Sequence, residues 1–294
     1  MKKYLLFFLL IFLFFITADK ILEHILTPYI RSSGQVFLNS YEIVRRDHPE
    51  KTWDKVIFGS SVTISAFREE ESTSGYINAG INCGLVSDLW NMIKKKEIQI
   101  GSELVIAFNS SLSLYDDFAA DPTNPWKRKW YEPFCYFQRD RLKLLLNNVI
   151  LTYIFNDNNM NAPYKNQRRE LYFGAMSEKE LYDKLHSERA QFLYKIKFSN
   201  LKKNISALKN IKKYCEKNNI RLRFVWIPPN PTIEPLESSK DAYRFIKNYA
   251  NENGIDFLDL NGKFDKECYF DQGHFNYEYG AHVFTEVIDP WLNL

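Results

Sequence analysis

The sequence predicts an α/β protein: a three-layer α/β/α sandwich on a mostly parallel five-stranded sheet. Three observations carry that expectation. Short apolar runs rich in β-branched and aromatic residues recur along residues 55–294. Stretches with helical spacing separate them, so the chain needs crossover connections, which make neighbouring strands parallel and cover both faces of a sheet. Several runs also end at a glycine or a polar residue, where a strand turns over at the carboxyl edge of its sheet. An N-terminal transmembrane helix and a helical insertion complete the expected architecture.

In chain order, Met1, Lys2 and Lys3 precede an unbroken apolar run from Tyr4 to Ile16. At 1.5 Å per residue the stretch from Tyr4 to Ala18 covers ~22 Å, short of a ~30 Å hydrocarbon core. Ile21, Leu22, Ile25 and Leu26 can carry the apolar face further. Residues 1–26 therefore read as a membrane anchor or signal segment, and cleavage after Ala18 and retention both stay open. The two lysines stay inside, which exports the rest of the chain. The expected location is the cell membrane, single-pass, with the main domain extracytoplasmic. Residues 27–54 form a lead-in, in which Pro28 and Gly34 break any long helix.

The main domain spans residues 55–294. Val56–Phe58, Tyr76–Asn78 and Leu104–Phe108 read as its first three strands, with a helix over Leu85–Lys96. Residues 111–197 break the rhythm. Trp126 and Trp130 stand in a proline-punctuated aromatic stretch, followed by helical patterns over Arg141–Phe155 and Ser177–Lys195. This insertion fits a lid, a glycan-stacking surface, a dock for a membrane partner, or a buried helical layer. Alternation resumes with a helix over Leu201–Asn218 and a strand over Leu222–Ile227, halted by Pro228, Pro229 and Pro231. A helix over Ala242–Asn253, a strand over Ile255–Leu260 and a last helix over Tyr277–Leu294 close the domain.

The chemistry concentrates at two distant places. Gly59, Ser60 and Ser61 follow the first strand, so a hydroxyl is lifted to the sheet edge as the next helix begins. A nucleophile and an ordinary helix cap both suit a serine there. Near the C-terminus, Asp271 lies three residues before His274 in a glycine-containing turn. That spacing lets a carboxylate hold one imidazole nitrogen while the other takes a proton from a hydroxyl.

Taken together, the order Ser61 … Asp271-x-x-His274 resembles the SGNH (GDSL-type) hydrolase superfamily. Within it the chain looks most like the membrane-anchored, DltD-like and AlgX/AlgJ-like branch that acts on cell-envelope polymers. The resemblance runs in blocks from Val56 to the C-terminus and implies a SGNH/flavodoxin-like sheet. Gly59-Ser60-Ser61 matches the first block and implies Ser61 as nucleophile, with Ser60 in place of the usual acid. Asn78-Ala79-Gly80 resembles the second block, which implies Gly80 as an oxyanion donor. The third block lacks its glycine and its Asp; Asn109 stands at the matching point and is the candidate side-chain donor. Ser60, Trp126 and Trp130 are candidates for substrate contact.

The resemblance implies a Ser–His–Asp esterase or O-acyltransferase for acyl esters, such as acetyl or D-alanyl, of a cell-surface polysaccharide or teichoic-type polymer. A membrane-bound O-acyltransferase is the partner that transfer would require. This chemistry needs no cofactor and no metal. The alternative is a non-catalytic glycan-binding or accessory protein on the same fold. A net charge of +3 calls for no nucleic-acid partner. Cys83, Cys135, Cys215 and Cys268 are too widely spaced for a zinc motif. The Gly-x-Ser-x-Gly elbow and the P-loop are absent, which argues against an ordinary α/β-hydrolase and against nucleotide binding.

Overall fold

The structure, a computed structural model, describes residues 2–32, 40–116, 126, 172–186 and 201–294. The chain divides into two compact units, Met1–Leu38 with Pro122–Gln167, and Asn39–Asp121 with Arg168–Leu294. In the first unit, helix α1 spans Lys2–Ser32. The break expected at Pro28 is not taken: one proline removes a single intrahelical bond, and here the helix runs on past it. The apolar side chains from Tyr4 to Phe15 are exposed. Among the described residues, no helix is long and apolar enough to cross a membrane. Trp130, the helix expected over Arg141–Phe155 and most of the insertion lie outside the described residues.

The second unit holds the sheet. Helix α2 (Ser40–Asp47) occupies the lead-in, and the strands are β1 (Thr52–Phe58), β2 (Tyr76–Asn78), β3 (Gln99–Phe108), β4 (Arg221–Trp226) and β5 (Asp256–Asp259). All the pairings are parallel, in the order β2-β1-β3-β4-β5. That is the flavodoxin-like order, with a switch point beside β1 where the connections change direction. β1 and β3 start earlier than their apolar runs because the ladder continues into solvent at the amino edge, where Thr52 pairs with Gln99. The helices between are α3 (Ser61–Ala66), α4 (Val86–Lys94), α5 (Glu178–Leu185), α6 (Lys202–Lys217), α7 (Glu237–Glu252) and α8 (Gly280–Leu292).

Strand alternation splits the core in two. Ile57, Val105 and Val225 join Val62 of α3 and Phe284 and Ile288 of α8 in one apolar cluster. Phe224 instead meets Phe108 and Tyr249, the latter on α7. Right-handed crossovers give the same division, since the chain moves one way through α3 and the other way through α4, α6 and α7. Each fully buried aromatic contributes about 1.5–3 kcal/mol of transfer free energy. A charged residue also stands inside this core. Arg223 on β4 is fully buried, stacks on Trp291 with its guanidinium 3.7 Å from the ring centre, and bonds the Trp291 and Leu292 carbonyls. Asp256 and Glu103 balance its charge at 3.1 and 3.6 Å. The guanidinium thus adds donors to carbonyls at the end of α8, where the helix ladder runs out.

Candidate active site

The carboxyl ends of β1, β3, β4 and β5 converge on one rim, and the site is assembled there. β1 hands over to α3 through Gly59. A Cβ on that residue would lie 1.9 Å from Thr63 Oγ1 and 3.1 Å from the Ala107 carbonyl oxygen, so only glycine lets the turn close this tightly. Ser60 caps α3, its hydroxyl accepting the Val62 N–H at 3.3 Å. The same hydroxyl donates to Asn109 Oδ1 at 3.2 Å. An amide whose oxygen is held in this way keeps its NH2 for another acceptor, and Asn109 is part of the cavity wall.

Ser61 is the first residue of α3. Its Oγ lies 2.8 Å from His274 Nε2, and His274 Nδ1 lies 2.7 Å from Asp271 Oδ2. A carboxylate only accepts, so Nδ1 carries the proton and Nε2 is the acceptor for the serine hydroxyl. Asp271 is buried, and its other oxygen accepts the N–H groups of Gly273 and His274 at 2.9 and 2.8 Å. Lys184 of α5 reaches Asp271 Oδ2 at 2.5 Å. Burial alone would raise the Asp271 carboxyl, but the His274 imidazole and the Lys184 ammonium hold it far below the usual carboxylate range.

The loop that carries the acid and the histidine is braced from three sides. The Phe275 N–H donates to Ser65 Oγ on α3 at 3.2 Å, and the Tyr269 hydroxyl donates to the Pro228 carbonyl at 3.1 Å. Asn230, from the proline loop after β4, donates its N–H to Gln272 O at 3.0 Å and its Nδ2 to Asp271 O at 3.3 Å. Asn276 Oδ1 accepts the N–H groups of Tyr279 and Gly280 and so starts α8. Tyr172 stacks on the imidazole, 4.5 Å between ring centres and 17° from parallel.

These groups open onto a cavity of about 570 Å³. Ser61, His274 and Asn109 form part of its wall, and Trp226, Pro228 and Leu236 give it an apolar side. Ser61, His274, Asp271, Asn109 and Ser60 are therefore brought together. Ser60, expected as a substrate contact, lines the cavity but spends its hydroxyl on the cap and on Asn109. Gly80 is corrected. Its N–H donates to Asn78 Oδ1 at 3.1 Å, and Asn78 Nδ2 bonds the Thr63 and Phe67 carbonyls under α3. Asn78 and Gly80 thus form a brace for the helix, while Cys83 and Gly84 of the same loop reach the cavity wall. Trp126 belongs to the other unit and is buried, where a stacking ring would need an open face. Cys268 is a buried core residue, and His282 on α8 is exposed and meets Glu71 at 2.9 Å.

Sequence reasoning missed Lys184 and Tyr172. Lys184 is one lysine among many on an amphipathic pattern, and nothing in its spacing points to Asp271.

A protein-family model matches residues 164–293, which include β4, β5 and the acid–histidine loop but not Ser61. No curated protein matches the chain. Among solved structures, the chain is similar to a "putative lipolytic protein of G-D-S-L family" from Desulfitobacterium hafniense DCB-2. The two are 13% identical with a TM-score of 0.40, over 81% of this chain and 98% of that one.

Proposed function

We propose that the protein is a serine esterase or O-acyltransferase in which Ser61, His274 and Asp271 act as nucleophile, general base and orienting acid. The observation that carries this reading is the unbroken chain of hydrogen bonds from Ser61 Oγ through the imidazole to the buried Asp271 carboxylate. Ser61 Oγ attacks an acyl carbonyl as its proton passes to His274 Nε2. The carbonyl π pair moves onto oxygen, where the Ser61 N–H and Asn109 Nδ2 are the donors. When the tetrahedral intermediate collapses, the alcohol leaves with the proton from His274 and the acyl group stays on Ser61. A second hydroxyl then repeats the steps in reverse: water gives hydrolysis, and a sugar or polyol gives transfer. Asp271 holds the Nδ1–H tautomer and stabilises the imidazolium.

The substrate we propose is an acyl ester of a cell-surface glycan or glycopolymer. Helix α1 would keep the domain at the outer face of the cell membrane, close to a membrane-bound O-acyltransferase. The exposed apolar side chains of Tyr4 to Phe15 support the tether. A non-catalytic accessory role is the second reading, favoured by the commitment of the Gly80 N–H to Asn78, which removes one expected oxyanion donor.

The test is release of p-nitrophenol from p-nitrophenyl acetate by the wild type, Ser61→Ala and His274→Ala. Each substitution is expected to lower kcat/KM by ~10³-fold or more. Turnover unchanged in Ser61→Ala rejects the mechanism, and a wild type no faster than buffer selects the accessory reading.

A further inference from the structure

We infer that Lys184 is a positioning residue of the triad, which sets the proton affinity of His274 through the Asp271 oxygen that the two side chains share. The inference rests on the catalytic reading of Ser61, His274 and Asp271. Lys184 Nζ and His274 Nδ1 meet the same Oδ2 at 2.5 and 2.7 Å. The ammonium and the ring nitrogen are therefore within ~5 Å of each other, a range at which one elementary charge changes a neighbour's protonation measurably. Asp271 has almost no exposure and Lys184 about a third, so water screens the pair incompletely.

Lys184 is held in this position by the fold. α5 starts from a capping box in which Ser177 and Glu180 bond reciprocally. The strap just before it is joined to the acid–histidine loop by two backbone bonds, Tyr277 N–H to Tyr172 O at 3.0 Å and Met176 N–H to Phe270 O at 2.8 Å. The Gly174 N–H adds a bond to the Glu278 carboxylate at 2.9 Å. One short segment, residues 172–186, thus brings the Tyr172 ring onto the imidazole and the Lys184 charge onto its carboxylate. Among the described residues, the titratable and charged groups facing the His274–Asp271 pair are Ser61 from α3, Tyr172 from the strap and Lys184 from α5.

The consequence has a definite sign. A cation on Asp271 draws off part of the negative charge that would stabilise imidazolium, so His274 gives up its proton more easily. A base must be neutral to act, and Lys184 therefore extends activity toward acid pH. Replacing it by an uncharged side chain should raise the proton affinity of His274. The acid limb of kcat/KM should then move up by ~0.5–1.5 pH units. Lys184→Arg keeps the charge and should restore the wild-type limb.

The experiment compares the wild type, Lys184→Met, Lys184→Gln and Lys184→Arg in full-length protein. It measures kcat/KM against pH and, independently of turnover, the NMR titration midpoint of the His274 ring, assigned by its loss in His274→Ala. An upward shift in both measurements for Met and Gln, reversed by Arg, is the expected result. Lower activity with an unmoved limb and an unmoved midpoint would make Lys184 a structural brace only and overturn the proposal. If the wild type shows no turnover, the esterase reading fails, and the His274 midpoint alone decides whether Lys184 acts on the pair.

Discussion

Ser60 and Asn109 act as one unit at the proposed oxyanion site. The Ser60 hydroxyl fixes the Asn109 amide so that its NH2 is left to donate. Asn109→Ala should therefore lower kcat by ~10–100-fold and leave KM nearly unchanged, as steady-state kinetics would show. Equal loss in both parameters would place Asn109 in ground-state binding instead. Asp271 makes a second prediction. Its carboxyl titrates lower in the folded protein than in the unfolded chain, so its contribution to stability is complete above pH ~4 and is lost as pH falls below that. Urea midpoints measured from pH 6 to 3 should fall less steeply for Asp271→Asn than for the wild type. Parallel curves would mean that Asp271 carries no such linkage. That Ser61, Asp271 and His274 would meet was legible because each of the two blocks, Gly59-Ser60-Ser61 and Asp271-x-x-His274, is distinctive within itself, although 213 positions separate the serine from the histidine. Gly80 was misread because the motif that would mark an oxyanion donor also suits a side chain folded back under α3. Lys184 was not legible at all, since its role depends on where an insertion folds.

The strands were readable as elements because each is a short apolar run that must be covered on both faces. The observed β2 matches its expected bounds, while β1 and β3 extend past the apolar signal into a polar ladder. The start of α8 depends on a contact that no propensity encodes: a Cβ at Gly280 would lie 1.8 Å from the Cys268 carbonyl oxygen. Gly280→Ala should push α8 away from the acid–histidine loop, lowering both thermal stability and esterase activity. Unchanged melting would show that the loop yields without cost. The other end of α8 depends on Arg223. A buried arginine on a central strand runs against the apolar pattern and is intelligible only with its partners in place, the Trp291 ring and the last carbonyls of the helix. Arg223→Met removes a paired buried charge and takes a donor from both carbonyls, with an expected loss of ~2–4 kcal/mol in urea unfolding. A loss under ~0.5 kcal/mol would mean that solvent replaces the arginine without penalty.

For the whole molecule, the sheet unit supplies every group in the proposed mechanism, and α1 in the other unit enters the proposal only as a tether. Full-length protein should sediment with phospholipid vesicles, and replacing Leu9 and Phe12 by arginine should leave it in the supernatant. Sedimentation unaffected by both changes would remove the tether. At the centre of the proposed mechanism stands one hydroxyl, activated by one imidazole, as the nucleophile. The most direct measurement of that role is reaction with a fluorophosphonate, followed by peptide mass mapping of the adduct. The account predicts a single phosphonyl group on Ser61, absent in both Ser61→Ala and His274→Ala. An adduct on another residue, or labelling that persists without His274, would contradict it.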